Sequence, residues 1–212
     1  MTLDSGCHCN RRSFLSFPLP EMSAAKLKEK RPVPPAIARP TPGLVELFTG
    51  NGKGKTTAAL GIALRALGHG LRVHIVFFMK GEFPYGEQTS LACLPGLSFE
   101  RFGSLEFVDP LHVKDEEKAQ ARLALEASRR AVRSGQYDVV VLDEVLVASA
   151  WGLAPVEEVV QLVKEKPERL DLVLTGRYAD ERLVELADLV TEMKEVKHPF
   201  HKGVLSRQGI DY

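Results

Sequence analysis

The sequence predicts an α/β fold, a mostly parallel sheet flanked by helices on both faces. Three observations predict it. From residue 44 onward, short β-branched and apolar runs alternate with stretches of helical spacing. Residues 137–142 are a near-continuous apolar run, as a strand covered on both faces should be. The first strand-like run ends in a glycine-rich loop that opens directly onto a helix pattern.

The elements follow in order. Residues 44–48 are short and apolar and read as a strand. Residues 55–67 have helical spacing and stop at Gly68 and Gly70. Residues 72–78 are β-branched and aromatic, and 97–102 form a weaker strand. Residues 114–133 read as a long charged helix with Ala119, Leu123, Ala127 and Arg130 along one face. The strand at 137–142 is followed by a helix at 156–164, after Pro155. A strand at 170–174, a helix at 181–187 and a last strand at 189–193 complete the alternation. There are no internal repeats.

The 212 residues suit one well-packed domain. With 44% hydrophobic and 26% charged residues, the composition is that of a soluble globular protein. Formal net charge is zero, so no basic surplus drives nucleic-acid binding. No apolar run reaches the roughly 18 to 20 residues that span a bilayer. Three cysteines make no disulfide framework, and a reducing cytoplasm is the expected compartment.

Residues 1–43 differ from the rest. They hold seven of the thirteen prolines and no sustained apolar period, and read as an irregular leader before a domain at 44–212. Arg11-Arg12 faintly resembles an export signal. Pro18, Pro20 and Glu21 follow where such a signal needs an apolar stretch, so export is not expected. Met22 is a plausible alternative start. Cys7-His8-Cys9 lacks the second ligand pair of a zinc site and reads as solvated. Cys93 stands alone in apolar surroundings and reads as a small core residue.

The run Thr49-Gly50-Asn51-Gly52-Lys53-Gly54-Lys55-Thr56-Thr57 lies between strand and helix, where a phosphate-binding loop belongs. Its glycines let consecutive N–H groups point inward at phosphate oxygens. The helix adds unpaired N–H groups and the positive end of its dipole. Lys55 supplies a full charge, and the Thr56 hydroxyl can take one position on Mg²⁺. One departure stands out. The usual glycine five positions before Gly54 is Thr49 here, so the loop is either a Thr-started variant or one residue short.

Val139-Val140-Val141-Leu142-Asp143-Glu144 places two carboxylates where a buried strand leaves the sheet, the edge at which ligands sit in open parallel sheets. Mg²⁺ takes one or two carboxylates and keeps several waters. Asp143 and Glu144 are therefore the expected metal residues, together with Thr56. Loop and acidic strand end say nucleotide plus metal. They leave open a kinase, an NTPase or a transferase that attacks elsewhere on ATP.

Five ordered segments narrow the choice: Gly50-Asn51-Gly52-Lys53-Gly54-Lys55-Thr56-Thr57-Ala58-Ala59 continuing to Arg65-Ala66-Leu67-Gly68-His69-Gly70, Lys80-Gly81-Glu82-Phe83-Pro84-Tyr85-Gly86-Glu87, Val141-Leu142-Asp143-Glu144, Leu174-Thr175-Gly176-Arg177, and Lys197-His198-Pro199-Phe200-His201-Lys202-Gly203 with Gly209-Ile210-Asp211-Tyr212. Together they resemble the P-loop class of corrinoid adenosyltransferases over residues 44–212. The resemblance implies a RecA-like P-loop fold, a homodimer, and ATP, Mg²⁺ and a corrinoid as ligands, with a flavin or flavoprotein as reductant.

It also implies the reaction. The corrinoid cobalt, reduced to Co(I), attacks the 5′ carbon of ATP and displaces the whole triphosphate. Lys55, Thr56 and Glu144 are then the catalytic residues. Gly50, Asn51, Gly52, Lys53, Gly54, Lys55, Thr56, Thr57 and Arg65 bind ATP, with Asn51 near the ribose. The family's Phe-x-Trp pair, which displaces the lower cobalt ligand, corresponds to Leu105 and Phe107. Trp151 reads as packing. The family's basic helix ahead of the first strand has a remnant at residues 24–31, cut short by Pro32, Pro34 and Pro35. His198 and His201 read as loop residues rather than cobalt ligands. Two other readings stay open: a P-loop kinase or NTPase with another acceptor, and a nucleotide-dependent corrinoid carrier.

Overall fold

The computed structural model describes residues 41–104, 106 and 108–212. The leader up to residue 40, with Cys7, Cys9 and the stretch 24–31, lies outside the described residues, as do Leu105 and Phe107.

Six parallel strands form one sheet in the order β3-β2-β4-β5-β1-β6. They are β1 (Val45–Thr49), β2 (Val73–Phe77), β3 (Leu97–Arg101), β4 (Val139–Asp143), β5 (Asp171–Thr175) and β6 (Leu189–Glu192). Between them run α1 (Lys55–Gly68), α2 (Gly86–Leu91), α3 (Asp115–Arg133), α4 (Val145–Ala150), α5 (Val156–Lys164) and α6 (Glu181–Leu186). The expected α/β architecture holds, and the expected strands and helices lie within one or two residues of their predicted bounds. The short helices α2 and α4 and a 3₁₀ turn at Pro199–Lys202 are additions.

Strand alternation sorts the apolar side chains into two cores, one on each face. Leu47, Val76, Val140, Leu142, Leu172 and Leu174 pack with α3, α4, α5 and α6. Phe48, Val73, Ile75, Phe77, Val139, Val141 and Val173 pack with Ala59, Ala63 and Ala66 of α1 and Leu91 of α2. The small residues of α1 let that helix lie close to the strands. Trp151 packs against the first core, as expected.

Two expectations about packing are corrected. On α3 the buried stripe is Ala121, Ala124, Leu125, Ser128, Ala131 and Val132, joined by Ala127. Leu123 is 46% exposed, and Ala119 is exposed too. Polar residues hide the true stripe: Ser128 Oγ donates to the Ala124 carbonyl at 2.7 Å, and buried Glu117 accepts from the Lys114 N–H at 2.8 Å. Cys93 is exposed rather than in the core. It lies just past α2, whose inward position is taken by Leu91.

Parallel pairing puts the ends of β1, β4 and β5 on one edge of the sheet. β5 lies between the loop-bearing β1 and the acid-bearing β4, so its end, Thr175-Gly176-Arg177, comes between the loop and the carboxylates.

Candidate active site

The loop begins one residue later than the usual pattern. Thr49 belongs to β1 and pairs with Glu192 of β6, so the first turn falls at Gly50, whose φ is 93°. The shorter of the two loop readings is the one observed. The loop leans on the chain leaving β6. The Gly52 N–H donates to the Met193 carbonyl at 2.6 Å, and a Cβ at Gly50 or Gly52 would lie 2.5 or 2.6 Å from that same oxygen. No other residue fits either position without moving the backbone. Gly54, at φ 114°, turns the chain into α1, which starts at Lys55.

Lys55 is buried, and its ammonium donates to the carbonyls of Gly50 at 2.9 Å and Gly52 at 2.7 Å. The lysine thus braces its own loop from inside. Burial pulls its pKa below the ordinary lysine value, with Glu144 and Asp143 opposing. Its buried charge borders the loop in which a phosphate would sit, where low solvation strengthens the attraction.

The acidic strand end is tightly built. Asp143 is 1% exposed. Its Oδ1 accepts from Thr175 Oγ1 at 2.7 Å, and its Oδ2 forms an ion pair with Lys80 Nζ at 2.7 Å. Thr175 Oγ1 accepts in turn from the Glu144 N–H at 2.9 Å. One hydroxyl on β5 therefore fixes both Asp143 at the end of β4 and Glu144 just past it. Glu144 has a φ of 62°, a left-handed conformation that costs a non-glycine residue about 1–3 kcal/mol and persists where neighbours enforce it. Burial, then the Asp143 charge, pushes its carboxyl above the ordinary range, against Lys80, Lys55 and Arg177.

Lys80 is the site residue to which sequence reasoning gave no role. Besides Asp143 it lies 3.5 Å from Thr56 Oγ1 and 3.7 Å from Glu87, and its ammonium sits over the rings of Phe77 and Tyr85. Burial alone would lower its pKa; Asp143, Glu144 and Glu87 outweigh that and raise it, so it stays charged. The signal was the position just past β2, on the same sheet edge.

These groups line a cleft of about 630 Å³. Asn51 to Thr57, Lys80, Glu144 and Arg177 form its floor and sides, and the C-terminal turn closes one side through Asp211 and Tyr212. Asp211 pairs with Lys53 and accepts from the Arg207 side chain at 3.0 Å. The Tyr212 ring packs edge-on against Phe83 at 5.1 Å. His198 lines the cleft, while His201 pairs with Glu195 at 2.6 Å on the surface. Arg65 does not join the cleft. It sits in the last turn of α1 and lines a separate groove of about 810 Å³ with Glu46, Phe48 and His69.

Thr56 and Glu144 line the cleft with hard oxygen donors of the kind Mg²⁺ takes, while Asp143 lies behind it with its two oxygens on Thr175 and Lys80. Among the described residues no cluster of three or more His, Cys, Asp and Glu side chains could hold an ion alone. The donor set fits a metal that arrives with phosphate oxygens of its own. Among the described residues no helix is long and apolar enough to cross a membrane.

Comparison with known proteins agrees with this geometry. The family model for ATP:corrinoid adenosyltransferase BtuR/CobO/CobP matches residues 41–212. A corrinoid adenosyltransferase of Escherichia coli K12 is 39% identical over 187 residues, covering 88% of this chain and 94% of that protein. Corrinoid adenosyltransferase CobA of Salmonella typhimurium is 36% identical over the same shares. A corrinoid adenosyltransferase of a Sinorhizobium species is 37% identical over 90% of each chain. The chain belongs to the ATP:corrinoid adenosyltransferase family.

Proposed function

We propose that the protein transfers the 5′-deoxyadenosyl group of MgATP to the Co(I) centre of a corrinoid and releases inorganic triphosphate. The carrying observation is the cleft itself. It offers cationic and N–H groups for a polyphosphate and oxygen donors for a metal, and the Ser98–His74 hydrogen bond between β2 and β3 lies outside its lining. A Co(I) substrate needs no such pair, because it brings its own electron pair. That pair forms the Co–C bond to the ribose 5′ carbon, the C5′–O bond breaks, and its electrons leave with the triphosphate.

The protein's task is then to stabilise the leaving group. Lys55 and the N–H groups of the loop from Gly50 to Thr57, apart from that of Gly52, would hold the phosphates. Asn51, at the exposed lip of the loop, would face the ribose. Thr56 and Glu144 would hold Mg²⁺, which supplies further charge neutralisation when bound, and Asp143 would act behind them through Lys80. The left-handed turn at Glu144 and the Thr175 hydroxyl keep the carboxylates in place before substrate arrives. Residues 44–212 serve as the catalytic domain, and the family match beginning at residue 41 supports this. A reducing cytoplasm, a flavin or flavoprotein reductant and a homodimeric assembly complete the reading.

The test is an anaerobic incubation of protein, MgATP and chemically reduced cob(I)alamin, followed by the cobalt absorbance spectrum. A light-sensitive alkyl-corrinoid spectrum is expected with the wild-type protein and not with Lys55→Ala. An unchanged cob(I)alamin spectrum with the wild type would refute the proposal.

A further inference from the structure

Four cationic side chains line the cleft, and three of them are already engaged. Lys53 pairs with Asp211. Lys55 donates to the carbonyls of its own loop. Lys80 pairs with Asp143. Arg177 lines the same cleft, is exposed to it, and makes no hydrogen bond or ion pair among the described residues. Its charge nevertheless acts on the site, depressing the pKa values of both Lys55 and Glu144.

The backbone is shaped to put it there. Gly176 has a φ of 141°, and a Cβ at that position would lie 2.8 Å from Leu146 Cβ and from the Val147 nitrogen. The glycine lets β5 pass directly against the start of α4. Its N–H is held by the Phe48 carbonyl at 3.1 Å, next to the phosphate loop. Tyr178 then turns with a φ of 62°. The turn between loop and carboxylates thus presents one unpaired guanidinium to the cleft.

We infer that Arg177 is a polyphosphate-binding residue, whose guanidinium pairs with phosphate oxygens of the nucleotide and holds the triphosphate as it leaves. The inference rests on the reading of the cleft as a nucleotide site. A guanidinium offers parallel N–H groups that match two phosphate oxygens at once. Unlike the three lysines, it gives up no existing partner to do so.

Isothermal titration with inorganic triphosphate and Mg²⁺ tests it without any corrinoid. Arg177→Gln should weaken triphosphate on the order of 10- to 100-fold, and Arg177→Lys should recover part of the loss. Because the side chain is exposed, both variants should keep the wild-type thermal midpoint. Triphosphate binding within about twofold of wild type in Arg177→Gln would overturn the inference and leave the nucleotide reading intact. Failure of the wild-type protein itself to bind triphosphate would overturn both.

Discussion

The strand ends of β4 and β5 and the C-terminal turn face each other across one cleft, yet they are built differently. Asp143 and Thr175 are buried and joined by hydrogen bonds to each other and to the Glu144 backbone. Residues 201–210 are exposed throughout, with Leu205 at 76% and Ile210 at 69%. The turn is tied down by the Asp211 contacts with Lys53 and Arg207 and by the Tyr212 ring on Phe83. The difference teaches where precision is needed. The strand-end groups are fixed by buried hydrogen bonds, whereas the turn hangs on a few contacts and can open at small cost.

The largest expected effect lies on the rigid side. Lys55→Ala removes both the loop brace and the phosphate charge, and turnover should fall by about 10²–10³-fold or more. Steady-state kinetics in the anaerobic assay checks this. Lys80→Ala leaves the Asp143 carboxylate buried without its cation. Chemical denaturation should show a loss of about 3 kcal/mol, the scale for breaking a buried pair by removing one partner. Should the variant be as stable as wild type, Lys80 does not balance the buried Asp143 charge as described.

Thr175→Val keeps the shape and deletes the hydroxyl that serves both acidic residues. A loss of about 1–3 kcal/mol, with weaker Mn²⁺ binding by electron paramagnetic resonance, is expected. On the open side, Asp211→Asn frees Lys53 and the turn. A pair whose lysine is solvated is worth about 1 kcal/mol, so stability should move little and the KM for ATP should change by less than about threefold. A loss as large as that of Thr175→Val would erase the contrast between the two sides.

Titration sharpens the same contrast. Glu144 has its carboxyl raised above the ordinary 4.5 by burial and by Asp143, so the folded state binds more protons than the unfolded one just above that pH. Stability contributed by this group is present below pH 4.5 and is lost as pH rises through the folded value. Glu144→Gln should flatten that part of the stability–pH profile. An unchanged slope would mean that burial does not hold Glu144 as described.

Most of the fold was legible because its signals are local. The loop's glycines, the apolar run ending in Asp143, and the alternation of strand and helix need no distant information. The packing of α3 was misread because its inner face carries Ser128 and Glu117, whose polarity is satisfied locally and does not mark the surface. Helices α2 and α4 are each six residues, too short to show a period. Within the site, Lys80 and Thr175 were present in the segments that carried the family resemblance but had no role until the sheet brought β2, β4 and β5 together. The left-handed turn at Glu144 leaves no trace in residue type, since glutamate is not among the residues enriched in that conformation. Leu105 and Phe107, expected at the corrinoid, lie outside the described residues, and Arg65 faces a different groove.

The most direct measurement is phosphorus NMR of the completed anaerobic reaction, with the products counted against the Co–C corrinoid formed. The account predicts intact inorganic triphosphate in a one-to-one ratio with the alkyl corrinoid, because attack at the 5′ carbon breaks only the C5′–O bond. Diphosphate and phosphate in its place would contradict it and make the cleft that of a P-loop hydrolase or kinase.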